Sequence, residues 1–145
     1  MKNIVSFDTA KRLKGAGFPQ PKYIEIGFVY SDEGDLLYVR ECSFSGGAIG
    51  EITGKYVGYS GGLVFAPTAT DILVRLEEGT IYSDIRSSKF ICSTGSNSDG
   101  IAWFSIAHEN PAEAAALAWL EINEKKWYDK IEIATNDVLP GSHVK

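Results

Sequence analysis

A strand that runs almost directly into a proline-started helix constrains this chain more than any other stretch. Ile101-Ala102-Trp103-Phe104-Ser105-Ile106-Ala107-His108 has β-forming character, Glu109-Asn110-Pro111 breaks it, and Ala112 to Trp127 is rich in strong helix formers. Asn110 suits the N-cap because its side chain can accept from a free backbone N–H. Pro111 then falls at the first helical position, where a missing donor costs nothing, and Glu113 three residues after the cap predicts a capping box. Glu113 near the start and Lys125 and Lys126 near the end both suit the helix dipole. Along the strand, Ala102, Phe104, Ile106 and His108 share one face and Ile101, Trp103, Ser105 and Ala107 the other. Both faces are largely apolar, which predicts an interior place in a sheet.

The rest of the chain alternates helical and β patterns. Ser6 can cap a helix over Phe7 to Lys14 that buries Phe7, Ala10 and Leu13, and Gly15 and Gly17 end it. Ile24, Ile26, Phe28 and Tyr30 share a face by the period of two, predicting a strand. Ser31 to Asp35 is a turn, and Leu36 to Phe44 returns as the second strand of a hairpin. Residues 45–62 hold seven glycines. Gly54-Lys55 resembles the end of a phosphate-binding loop, but Ile49 stands where the first glycine belongs, Tyr56 follows the lysine, and no helix opens there. The expectation is a mobile or bulged β connection with Lys55, Tyr56 and Tyr59 as candidate partner-binding residues. Leu63-Val64-Phe65 leads to Thr68, which caps a helix with Asp71 as its capping-box partner and Ile72, Leu73 and Leu76 as its buried stripe. Two strands, Thr80 to Arg86 and Lys89 to Thr94, precede the central strand, and Tyr128 to Thr135 reads as a last short one. The pattern predicts an α+β fold: one domain over 1–145, an antiparallel sheet of about five to six strands, two to three helices mainly on one face, and a flexible tail over 136–145.

Composition narrows the function classes. At 145 residues the chain can bury roughly 70% of its unfolded surface without staples. No apolar run reaches the roughly 20 residues of a membrane span, and the first residues hold no apolar signal region, so the expected address is the cytoplasm. Cys42 and Cys92 each sit in a strand-like run and read as small buried hydrophobes, with a cross-strand disulfide as the lesser option. Together with His108 and His143 they have none of the paired spacings of a zinc site, and no metal or cofactor is expected. Residues 1–22 carry Lys2, Lys11, Arg12, Lys14 and Lys22 against Asp8, a net +4, which leaves −9 on the remainder. An acidic body repels phosphates at long range and argues against general nucleic-acid binding. Lys11, Arg12 and Lys14 on the first helix keep a nucleic-acid alternative open.

Catalytic chemistry is sparse. His108 and Glu109, beside a helix start, are the one pair where an acid or base could meet a dipole, and they define a small-enzyme alternative. No nucleophile elbow is present, and the paired acidic residues Glu77-Glu78 and Asp32-Glu33 are neighbours on exposed segments, not converging carboxylates. Trp103, Trp119 and Trp127 read as core packing more readily than as a stacking platform.

Three stretches together resemble a family of small uncharacterised phage and prophage proteins of gut bacteria. They are Val5-Ser6-Phe7-Asp8-Thr9-Ala10-Lys11-Arg12-Leu13-Lys14-Gly15-Ala16-Gly17-Phe18, Phe65-Ala66-Pro67-Thr68 opening a helix, and Asn110-Pro111-Ala112-Glu113-Ala114-Ala115-Ala116-Leu117. Thr68-Ala69-Thr70-Asp71 departs from the glutamine usual after the family's cap. The resemblance covers about half the chain, and its motifs are structural. It implies a phage-related accessory protein without assigned activity, and the missing chemistry points the same way: a non-enzymatic protein that works by binding a protein partner, or by self-association, in the host cytoplasm.

Overall fold

The structure is a computed structural model that describes residues 3–44, 48–52, 55–59, 62–96 and 100–138. Helix α1 (Phe7–Gly15) starts where the Ser6 hydroxyl accepts from the Thr9 N–H, and it buries Ala10 and Leu13. The chain then forms a hairpin of β1 (Tyr23–Tyr30) and β2 (Leu36–Ser43). Within its turn the Ser31 hydroxyl accepts from the N–H groups of Glu33 and Asp35, a local bond that stands in for a ladder. Gly34 has φ +94°, and a Cβ there would stand 3.0 Å from the Phe7 ring, so glycine is required by both the turn and its neighbour.

Beyond β2 the glycine-rich stretch, expected as a mobile or bulged β connection, holds two paired antiparallel strands, β3 (Ala48–Ile52) and β4 (Lys55–Tyr59). Glycine costs entropy in a strand but keeps both ladder groups, so Gly50 and Gly58 do not forbid the pairing. β5 (Val64–Phe65) adds on the other side of β1, giving the order β4-β3-β2-β1-β5. It stops after two residues because Pro67 has no N–H to offer a ladder. Thr68 then opens helix α2 (Ala69–Leu73) with the expected reciprocal capping box to Asp71. Having left the sheet through a helix, the chain starts another: β6 (Thr80–Asp84), β7 (Lys89–Ser96) and β8 (Ile101–His108), in the order β6-β7-β8. The α+β class is as read from sequence, but a single sheet of five to six strands is not what forms. Among the described residues there are two antiparallel sheets, of five and three strands, with three helices.

Helix α3 (Pro111–Val138) runs through the stretch read as a last strand. Ile131 and Ile133 fit a period of two, yet no glycine or proline stands between Pro111 and Pro140 to stop a helix already under way. Its first turns are hidden on nearly every side: Ala112, Ala114, Ala115, Ala116, Ala118 and Leu120 are fully buried. A helix apolar all round belongs inside, and alanine lets its neighbours approach closely. α3 packs on β7, β8 and α2, and together with Val5, Leu13, Phe18 and Ile72 it forms the larger core cluster. A smaller cluster of Ile24, Val29, Val39, Cys42 and Leu63 lies within the five-stranded sheet. Among the described residues no helix is long and apolar enough to cross a membrane.

Candidate functional site

Two regions stand out, and the first gathers several of the residues that sequence reading singled out. The first is the junction of α1 with α3. Asn110 caps α3 as expected, its Oδ1 accepting from the Ala112 N–H at 2.9 Å, while its Nδ2 donates to the Ile4 carbonyl at 2.9 Å. Glu113 does not close a box on Asn110. Its carboxylate reaches the other helix, accepting from the Ser6 N–H at 2.6 Å and the Thr9 hydroxyl at 2.8 Å. In effect α3 supplies the carboxylate that α1, with Thr9 at its third position, lacks there, a capping box shared between two helices. Glu113 is nearly buried, and a buried carboxylate holds its charge only when such donors replace water. Close by, the Tyr30 hydroxyl donates to the Val5 carbonyl at 2.6 Å, and burial first and the Glu113 charge second push its pKa upward.

His108 and Glu109 border this junction. His108 Nδ1 accepts from the Asn110 N–H at 3.0 Å, which leaves the neutral ring's proton on Nε2. Glu109 is exposed. Among the described residues every buried side-chain nitrogen or oxygen has a hydrogen-bond partner, and no three His, Cys, Asp or Glu side chains form a metal-binding group. The Glu113 carboxylate, the Ser6 N–H, the Thr9 hydroxyl and the Asn110 amide are thus bonded across the junction and fasten α1 to α3.

The basic face of α1 is also partly spoken for. Arg12 forms a two-pronged bond to Glu124 on α3, Nε to Oε2 at 2.9 Å and Nη2 to Oε1 at 2.7 Å. That bond lowers the Glu124 pKa and raises that of Arg12. Lys14 Nζ lies 3.4 Å from the Leu63 carbonyl, and Lys11 sits 3.7 Å from Asp8 and over the Phe7 ring. Glu113 and Glu124 are eleven residues apart, close to three helical turns, so they hold α1 along one face of α3. That spacing was the available sequence signal for the pairing. The two cysteines lie apart, Cys42 in the smaller cluster and Cys92 in the larger, both free and buried, with burial pushing the Cys92 thiol up to about 11. Neither is poised as a nucleophile.

The second region is the outer face of β1 and β2. Ile26, Phe28 and Tyr30 share a side of β1, but α1 covers only the Tyr30 end, where the Phe7 ring lies 5.4 Å from the tyrosine. Ile26 and Phe28 are left 60% and 37% exposed, and Tyr38, opposite Phe28 with ring centroids 5.4 Å apart, is 38% exposed. Ile24, expected on that same face, is buried in the smaller cluster with Val29 and Val39. The alternation slips at Glu25, which has no register partner, opposite Glu41 with its left-handed φ of +47°.

Sequence reading missed this exposed face because alternation tells which residues lie together, not whether anything covers them. Lys55, Tyr56 and Tyr59 belong to β4 in the same sheet, but their side chains lie outside the described residues. Trp103, expected in the core, is 54% exposed: β8 is an edge strand, and the face opposite α3 is open. Trp119 is buried edge-on against Phe18. The Trp127 side chain is outside the described residues. Compared with known proteins, the chain matches no protein-family model, no curated protein and no solved structure.

Proposed function

We propose that this chain is a non-enzymatic accessory protein that acts by binding another protein, and that the partner meets the outer face of the β1–β2 hairpin. One observation carries the reading: Ile26, Phe28 and Tyr38 stand exposed together on a face that no described helix fills. Contiguous apolar side chains in water are the usual mark of a protein contact, and aromatic residues are over-represented among those that hold such contacts. The fully partnered polar cluster around Glu113 supports the non-enzymatic part, since each of its groups already has a structural bond. With Arg12 bound to Glu124, the nucleic-acid alternative gains no observation. The resemblance to phage and prophage proteins makes a bacterial host protein the natural partner.

A photo-crosslinking residue placed at Tyr38, in cells of a bacterial host, tests this. A discrete crosslinked protein is expected, reduced at least tenfold when Phe28→Ser is added. Phe28→Ser itself should cost about 1 kcal/mol, since the ring is only partly exposed and packs on Tyr38, and leave the fold intact. Crosslinks that persist unchanged in Phe28→Ser, or that form equally from a probe at Trp103, would sink the proposal.

A further inference from the structure

β5 pairs with β1 only at Val29 and Tyr30, through Phe65 and Val64, with one further bond from the Ala66 N–H to the Phe28 carbonyl. Beyond that point Pro67 turns the chain away into α2, so on the edge of β1 away from β2 no described strand lies beside Ile24 to Gly27. A cleft of about 380 Å³ occupies the gap, with Ile24, Glu25, Ile26 and Gly27 along one side and Phe65 and Asp71 across from them. That volume falls in the range of about 300–1,000 Å³ typical of ligand clefts. Among its lining residues the charged ones are Glu25 and Asp71, both acidic.

An interrupted strand edge with room beside it is a template for another strand, and main-chain bonds would supply the affinity whatever the sequence. Two carboxylates at its margin select the charge of the visitor. Resting on the reading that the chain binds a protein, we propose that this edge takes up an extended, basic segment of the partner. About four of its residues, spanning roughly 13 Å, lie beside Ile24–Gly27 in line with β5. A lysine or arginine faces Glu25 and Asp71, and an apolar residue faces Ile26. The outer-face contact and this edge are adjacent on β1, so one partner could engage both.

The probe is a capped hexapeptide of alternating lysine and valine, titrated into the full chain labelled for amide NMR. The control peptide carries glutamate in place of lysine. The expected result is slowed hydrogen exchange and shift changes at the amides of Ile24 to Gly27, Phe65 and Ala66. Affinity should be at least tenfold weaker for the glutamate peptide and should weaken with salt. Glu25→Lys, an exposed change that leaves the cleft walls in place, should cut lysine-peptide affinity about tenfold. No protection at millimolar peptide, or equal binding of the two peptides, overturns the proposal. So does concentration-dependent protection of these amides without peptide, which would assign the edge to a second copy of the chain. If Tyr38 still crosslinks a partner while the peptide fails, the edge alone is wrong; if the peptide binds but Tyr38 captures nothing, the outer-face reading is.

Discussion

The two sheets are both antiparallel, yet they differ in what covers them. β7 and β8 lie against α3, whose buried alanines and Leu120 fill the space between layers. The five-stranded sheet meets its nearest helix mainly where α1 touches β5, and its own cluster has five buried residues among those described. The smaller sheet is thus held by the main core, whereas the larger one carries its excess apolar surface outward at Ile26, Phe28 and Tyr38. Sheets need a second layer to bury an apolar face, and no described element supplies one over Ile26, Phe28 and Tyr38.

If that contrast is right, equal truncations in the two clusters should cost unequal amounts. Leu120→Ala opens a hole among elements that pack from several sides and cannot collapse, so its expected cost is about 4 kcal/mol. Leu63→Ala, in the smaller cluster, should cost about 2 kcal/mol. Denaturant unfolding of both variants measures the difference. Equal losses would mean the five-stranded sheet is as firmly packed as the other, and the contrast would fail.

The junction of the two helices gives a sharper probe, because it joins the N-terminal segment to the main core through named bonds. Glu113→Ala strands the Ser6 N–H and the Thr9 hydroxyl in a nearly buried site, at an expected cost of about 2 kcal/mol. Glu113→Gln keeps an acceptor and should recover about half of that. A Glu113→Ala variant as stable as the parent would show that α1 is held by its apolar face alone.

How much of this was legible beforehand follows from the range of each signal. The Thr68–Asp71 box and the Asn110-Pro111 start are local chemistry, complete within four residues, and the chain forms them where the sequence places them. Glu113 fits the same local pattern, but its carboxylate found donors more than a hundred residues away, and no local rule sees a competing tertiary partner. Sheet number was hidden for a related reason. Period-two patterning identifies strands without naming their neighbours, and here the division turned on Pro67 cutting β5 short. The exposed β1 face was hidden because the same Ile-x-Phe-x-Tyr run would serve a covered strand equally well. Only the short reach of α1 distinguishes Tyr30 from Phe28.

The smallest expected effect concerns the second tie between the helices. Arg12 and Glu124 are paired with good geometry but both are about half exposed, so the bond should contribute about 0.5 kcal/mol at neutral pH. Its pH dependence has a definite sign. The Arg12 bond lowers the folded Glu124 pKa below its ordinary 4.5, so the contribution is present above that value and fades as pH falls through the lower folded value. A double-mutant cycle of Arg12→Ala and Glu124→Ala should therefore show coupling at about pH 7 that shrinks toward zero near pH 3 and in high salt. Coupling that survives acid would mean the two side chains act through packing, and that α1 is fastened to α3 more tightly than its polar bonds imply.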